Sequence, residues 1–339
     1  MGKGPMNPSS PFLARRRFLS LAAAVVAGGT SLLLLVNALP GAHAASDGTL
    51  AGPVRIGFQK AGTVLLSLKA KGTLEKQLQP KGATLQWAEF PAGLPMVEAL
   101  NAGAIDIAYV GEAPPVIAQA ANGSITRYVA YDPWGPDSEG IVVQKDSGIR
   151  KLADLRGKRI AVQKGSNSHY LLVKALASAK LKPADAEIVF LKPADARAAF
   201  ERKDLDAWSI WDPFLAAAEA LPNARLLTSA KGLAPNRGYY LASAPFIKNR
   251  PDALKAVLAS IKKEALAVEA NPAATAAFLA PSLGLDVKVL KLAEERRRHD
   301  ALPLTDKIIE RQQDVADTFS ELRLIPRSIK VRDAVWIWK

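Results

Sequence analysis

The sequence predicts an α/β protein of two lobes, each built on a largely parallel sheet. Three observations predict it. The chain has 339 residues, more than one core usually serves. Short apolar strands alternate with helical stretches, the pattern of strand–helix–strand layers. One stretch also has an echo. Residues 98–115 and 198–213 both read as a helix end, a charged turn, a short apolar strand, then an acidic residue and a proline opening a new helix. Asp106 matches Asp206, and Glu112 matches Asp212. A strand that stops at a helix N-terminus leaves N–H groups pointing outward, and such ends bind anions. Two copies place one such end on each lobe of a shared cleft.

The elements follow in order. Residues 54–58 alternate into a strand, 59–63 turn, and 64–78 carry a helical period. A second strand, 85–90, is broken by Pro91, Ala92 and Gly93; a helix over 94–101 is closed by Gly103. The third strand is 105–110, and 114–122 is the helix after it. Residues 128–134 and 140–144 read as extended, and the chain crosses there into the second lobe. That lobe has a short helix at 152–155, a strand at 159–162, a loop to His169, a helix over 170–180, a strand at 188–191, a helix over 193–202 and the echo strand 206–210. Segments 215–221 and 225–227 complete it, and 239–242 returns to the first lobe. Helices at 251–270, 272–279, 286–300 and 305–322 follow, and 329–338 reads as a last edge strand. The lobes are thus 54–140 with 239–339, and 141–238. Two crossings make a hinge that can close over a ligand.

Residues 1–44 read as an export signal. Arg15, Arg16 and Arg17 precede an apolar run over 21–39, a twin-arginine pattern, and Ala42-His43-Ala44 is a small-residue cleavage site. The run is long enough to serve instead as an uncleaved membrane anchor. Either way the remaining chain is expected outside the cytoplasmic membrane.

Composition narrows the function. With 49% hydrophobic and 23% charged residues the chain is globular. Its net charge is +13; four basic residues and no acidic one fall in 1–44, leaving +9 on 45–339. Such a surface attracts anions. The basic residues are scattered, however, and the run Arg296-Arg297-Arg298-His299 behind Glu294 and Glu295 reads as a solvated helix face, so nucleic acid is not the expected partner. There is no cysteine, which excludes disulfides, thiolate metal sites and a thiol nucleophile.

Three motifs carry chemistry. In Gly165-Ser166-Asn167-Ser168-His169 the glycine permits close backbone approach, and Ser166 and Ser168 either cap the following helix or donate to an oxyanion. The terminal Gly-Lys-Ser/Thr of a nucleotide phosphate loop is missing. In Trp208-Ser209-Ile210-Trp211-Asp212-Pro213, Asp212 and Pro213 form an N-cap and N1 pair, Trp208 is expected in the core, and Trp211 offers a flat apolar wall at a strand end. In Gly111-Glu112-Ala113-Pro114-Pro115 the prolines fix a helix start. Glu112 favours the helix dipole but would repel a bound anion. Its carboxylate turns away, orients a basic partner, or meets a cationic ligand group. Catalysis is poorly supported: beyond His43 only His169 and His299 remain, metal-ligand spacing is absent, and His169 has no third group to orient it as a base.

Together these residues resemble the periplasmic solute-binding proteins of ABC importers for aliphatic sulfonates, within the nitrate/sulfonate/taurine group. The resemblance runs from Arg55 to Trp336. It rests on Arg55-Ile56-Gly57-Phe58-Gln59-Lys60, Glu89-Phe90-Pro91-Ala92-Gly93, Glu98-Ala99-Leu100-Asn101, the three motifs above, and Pro193-Ala194-Asp195-Ala196-Arg197-Ala198-Ala199-Phe200, in that family's order. The resemblance implies a type II two-lobed, hinge-bending fold. It implies ligand contacts at Gln59, Gly111, Glu112, Ser166, Ser168, His169, Trp211, Asp212 and Tyr239. It implies a monomer in the periplasm, without cofactor, metal or catalysis, that hands an alkanesulfonate to a membrane permease. Glu112 stands where sulfonate-binding members often have aspartate, and the added methylene reshapes the pocket. Taurine, nitrate or a thiamine precursor are the competing ligands. An enzyme of the same fold is the competing class, against which the missing cysteines argue.

Overall fold

The computed structural model describes residues 50–133 and 135–337. Residues 1–49, which include the stretch read as an export signal and its cleavage site, Trp134 and the last two residues lie outside them. Among the described residues, ten strands form two five-stranded sheets. The first half begins with β1 (Gly52–Phe58), α1 (Thr63–Lys71), α2 (Thr73–Leu78), β2 (Ala83–Glu89), α3 (Gly93–Asn101), β3 (Ile107–Gly111), α4 (Ala113–Ala120) and β4 (Thr126–Asp132). The chain then crosses to β5 (Glu139–Gln144), β6 (Arg159–Val162), α5 (Asn167–Ser178), β7 (Glu187–Phe190), α6 (Pro193–Glu201), β8 (Ala207–Trp211), α7 (Phe214–Glu219) and β9 (Ala224–Ser229). It returns through β10 (Gly238–Ser243) to α8 (Ala244–Asn249), α9 (Pro251–Ala270), α10 (Pro272–Leu283), α11 (Val287–Glu295) and α12 (Asp306–Glu321).

The sheet orders are β2-β1-β3-β10-β4 and β7-β6-β8-β5-β9. Each has one antiparallel strand, β10 in the first and β5 in the second, and these are the strands that flank the crossings. Glu139 and Gly140 pair in the second sheet and Gly238 in the first, so the crossings are residues 133–138 and 230–237. No helix among the described residues is long and apolar enough to span a membrane.

The echo seen in the sequence is a repeat in space. In the first sheet the Arg55 N–H donates to Asp106 Oδ2 at 2.9 Å, and the Asp106 N–H returns to Arg55 O at 2.8 Å. In the second, Arg159 and Asp206 repeat both bonds at 2.8 and 3.0 Å. Each arginine also donates to a carbonyl of the turn before its aspartate, Gly103 or Asp204, at 2.6 Å. Each aspartate therefore locks the entry of the middle strand to its parallel neighbour, β1 or β6, which sets where β3 and β8 end. Arg55 adds two side-chain bonds to Asp106, at 3.0 and 2.6 Å. Losing this half-buried set costs about 2–3 kcal/mol. Asp106→Ala is expected to lower the urea midpoint accordingly; Asp206→Ala, beside the more exposed Arg159, should lower it less.

The structure departs from the sequence reading at several places, among them the end of the first lobe, since Glu139 and Gly140 already pair in the second sheet. The helix read over 64–78 is two, because Gly72 adopts φ +59° and its N–H closes the first on Leu68 and Lys69. The tail is not an edge strand: a single 3₁₀ turn over Val331–Ala334 leads to one bridge between Val335 and Tyr128. The basic run is not a solvated face. The helix ends at Glu295, and Arg297 and His299 turn inward, 4% and 1% exposed. Arg297 donates to Ala61 O at 2.6 Å and His299 Nε2 meets Glu294 Oε2 at 2.9 Å. Arg296 pairs with Glu219 at 2.6 Å, and Arg298 stays exposed beside Glu269. A buried acid, Glu294, draws the run in. Trp208 is in the core, tilted on Phe200 at 6.2 Å.

Candidate functional site

The two middle strands aim their ends at each other. β3 ends on Gly111 and opens α4; β8 ends on Trp211 and leads to α7; β6 leads through Gly165 to α5. Between them lies a hollow of about 290 Å³ including its mouth, lined by Gln59, Gly93, Gly111 and Pro114 from one lobe and Ser166, Asn167 and Trp211 from the other. None of the seven lining residues is charged. Whatever binds here meets dipoles and an indole face, not a salt bridge.

Two glycines, Gly111 and Gly165, let the lobes approach, and a third, Gly93, tightens the packing within one of them. A Cβ on Gly111 would stand 2.1 Å from Asn167 Oδ1 and 2.4 Å from its Cγ and Nδ2. A Cβ on Gly93 would stand 2.7 Å from Pro114 Cγ, keeping α3 tight on the start of α4. Gly165 has φ +68°, and a side chain there would meet Ile117 at 2.6 Å and Leu94 at 3.1 Å. Across the gap the Ala113 N–H donates to Asn167 Oδ1 at 3.2 Å, and Asn167 Nδ2 donates to Asn236 Oδ1 at 3.0 Å. Asn167 thus ties the N-terminus of α4 to the return crossing.

The polar groups divide into donors and braces. Gln59 Nε2 donates to Tyr109 O at 3.3 Å, leaving its amide a second N–H for the hollow. Ser166 is the N-cap of α5: its Oγ accepts the His169 N–H at 3.2 Å and donates to Gln163 O at 2.7 Å. The N–H groups of Asn167 and Ser168, in the first turn of α5, have no intrahelical acceptor and point the helix dipole at the hollow.

The structure brings Gln59, Gly111, Ser166 and Trp211 to one hollow. It places Glu112, Ser168, His169, Asp212 and Tyr239 behind it, and their side chains do not line it. Glu112 turns away toward the return crossing, where Oε2 accepts the Arg237 N–H at 3.1 Å. Burial lifts its carboxyl to about 7, against the pull of hydrogen bonds from Arg237 and Asn236. Ser168 donates to buried Glu139 Oε1 at 2.8 Å and accepts Ser209 Oγ on its carbonyl at 2.9 Å. Burial, then the neighbouring Glu112, push Glu139 well up. His169 is pushed down to about 4 by burial and by Lys164, so it is a neutral helix residue whose Nδ1 accepts the Gly165 N–H at 3.3 Å. Asp212 is not the N-cap; Pro213 is, and Asp212 Oδ1 takes the Ala216 N–H at 2.9 Å. Burial lifts Asp212 to about 7, and Arg296 opposes the rise from 3.8 Å. Tyr239 packs edge-on to Tyr128 at 5.2 Å.

Sequence reasoning passed over Gly93, Pro114 and Asn167 as lining residues. The signal was there for Asn167: a short amide at the first position of a helix, one residue from a conspicuous cap, is placed to bridge two backbones. No cluster of three or more His, Cys, Asp or Glu among the described residues could hold a metal.

Two mixed sheets with matched strand orders, joined by two crossings and closing on an uncharged hollow, define a two-lobed solute-binding fold. Residues 89–275 match the family described as NMT1/THI5 like. The putative aliphatic sulfonates-binding protein of Escherichia coli (strain K12) is 37% identical over 284 residues, 84% of this chain and 88% of that protein. Its namesake in Bacillus subtilis (strain 168) is 32% identical over 83% of this chain and 85% of that protein. The structure of the alkanesulfonate-binding protein SsuA from Xanthomonas axonopodis pv. citri bound to MOPS superposes with a TM-score of 0.79 at 38% identity, over 84% of this chain and 98% of that one. The chain belongs to the NMT1/THI5-like family.

Proposed function

We propose that this protein captures alkanesulfonates outside the cytoplasmic membrane and delivers them unchanged to an ABC permease. The observation that carries the reading is the hollow: neutral donors from both lobes and one indole wall, with no charged side chain lining it. A sulfonate is a strong acid whose three oxygens spread one charge, so dipoles suffice to hold it. Gln59 and the first-turn N–H groups of α5 supply donors to the oxygens, and Trp211 covers the carbon next to sulfur. Bonds to a charged group contribute about 1.5–3 kcal/mol each. Three or four, less ordering costs, give micromolar affinity, near 8 kcal/mol. The relatives named for sulfonate binding support the ligand class. The two lobes, whose boundaries fall at the crossings rather than at 140 and 239, close about those crossings as a monomer, and residues 1–44 direct export.

Trp211 makes the test direct. Titrating ethanesulfonate, MOPS, taurine, nitrate and sulfate should change tryptophan emission and release heat for the sulfonates at micromolar concentration. Heat with nitrate alone, or with none of them, would reject the reading. Mass spectrometry of incubated sulfonate should recover it intact; a cleaved product would establish an enzyme instead.

A further inference from the structure

Two adjacent residues of the basic run, Arg296 and Arg297, hold different lobes, and neither lines the hollow. The run follows α11, which packs by Leu290 on Leu279 and Leu283 of α10 and so belongs to the first lobe. Arg297 donates to Ala61 O at 2.6 Å, in the turn just after Gln59. It also pairs with Glu294, whose Oε2 accepts the Thr63 hydroxyl at 3.1 Å. The turn that carries Gln59 is therefore held at two points. Arg296 reaches the other way. Its guanidinium lies 2.6 Å from Glu219 and 3.8 Å from Asp212, both in the second lobe. Asp212 is fully buried and follows Trp211; Glu219 ends α7. One guanidinium thus serves both ends of that short helix. The first crossing fixes the same corner. The Asp212 N–H donates to Ser138 O at 2.8 Å, and a Cβ on Gly135 would stand 2.6 Å from Arg296 O.

We infer that Arg296 and Arg297 form a clip that sets the spacing of Gln59 and Trp211 across the hollow, which makes Arg296 a positioning residue for ligand binding. The inference rests on the sulfonate reading above. The two arginines share one peptide plane, so the anchor of one fixes where the other starts. Arg297 is tied to the first lobe's turn, and the Arg296 backbone is wedged on Gly135. The Arg296 guanidinium therefore meets its two acids best at one separation of the lobes, and the ion pairs add to the stability of that arrangement. The guanidinium also offsets the carboxyl directly after Trp211, whose charge would otherwise act on an anionic ligand. Both effects run through Asp212 and Glu219, so both vanish when those acids are neutral.

Calorimetry with ethanesulfonate on the full protein tests this. Bonds between charged groups of this kind are worth a factor of about ten, so Arg296→Met should weaken binding about tenfold. Arg296→Lys keeps a charge for Glu219 and should bring affinity back to within about threefold of the wild type. In an Asp212→Asn, Glu219→Gln background the arginine has no acid to hold, and Arg296→Met should then cost less than about twofold. Simple loss of packing would cost the same in both backgrounds and would not be rescued by lysine. Thermal unfolding without ligand checks that each variant folds. Should Arg296→Met not fold, Glu219→Gln alone, at a partly exposed helix end, is expected to weaken binding about threefold. Wild-type affinity in Arg296→Met, equal costs in the two backgrounds, or wild-type affinity in Glu219→Gln where Arg296→Met does not fold would overturn the clip and leave the sulfonate reading standing. A wild-type protein that binds no sulfonate overturns both.

Discussion

Gly111→Ala is expected to weaken ligand binding by about 10- to 100-fold while leaving each lobe folded. The added carbon would fall 2.1 Å from Asn167 Oδ1 and 2.4 Å from the rest of its amide. Asn167 is not free to swing aside, because its amide holds Ala113 on one lobe and Asn236 on the crossing. The clash is therefore between lobes, not within one. Overpacking of this kind costs about 1–3 kcal/mol, which appears as lost closure energy and hence lost affinity. Calorimetry with ethanesulfonate reads the loss, and thermal unfolding without ligand should move little. The reciprocal change separates this account from simple damage to β3. Asn167→Gly removes the atoms in the way, so Gly111→Ala in that background should cost much less than in the wild type, a coupling a double-mutant cycle measures. Equal costs in both backgrounds would mean that the two residues do not meet when ligand is bound.

The frame was legible in the sequence because its signals are local. Strand alternation, Gly and Pro breaks and the paired aspartates each act over a few residues, and Asp106 and Asp206 prove to make the same two bonds in their own sheets. Gly111 and Trp211 were legible as residues of the hollow for the same reason: a strand end before a helix is a local pattern with a definite direction. What was hidden depends on partners far along the chain. Arg297 and His299 look like surface residues until Glu294 and Ala61 surround them. Glu112 and Asp212 match in sequence, but one braces the return crossing and the other binds its own helix. The sequence aligned the positions; only packing decides what each carboxyl touches. Asn167 was hidden differently. Its importance comes from Gly111 having no side chain, a complementarity between lobes that no single-chain periodicity encodes.

Glu112→Gln is expected to stabilise the protein at alkaline pH by up to about 3 kcal/mol and to leave it unchanged near pH 4. Burial lifts the carboxyl from its ordinary value of 4.5 to about 7 in the fold. The folded state therefore binds this proton more tightly than the unfolded state. The stabilisation it brings is fully present below about 4.5, declines as pH rises, and is gone once pH passes about 7. Each unit of that difference is worth about 1.4 kcal/mol. Glutamine is a neutral isostere that keeps an acceptor for the Arg237 N–H, so it removes the slope. Part of the gain should come through Glu139, whose carboxyl is pushed up mainly by burial and further by the charge on Glu112. Urea unfolding of both proteins from pH 5 to 8.5 checks the prediction; parallel curves would show that Glu112 reaches solvent. The same titration bears on the ligand. Glu112 follows Gly111 directly, so its ionisation above pH 7 places a negative field behind the hollow. Ethanesulfonate should then bind the wild type a few-fold more weakly at pH 8.5 than at pH 6, and taurine, with its ammonium, should not lose affinity. In Glu112→Gln the pH dependence of both should flatten. If ethanesulfonate affinity is level with pH in the wild type, the charge of Glu112 is spent on the crossing and does not set the ligand.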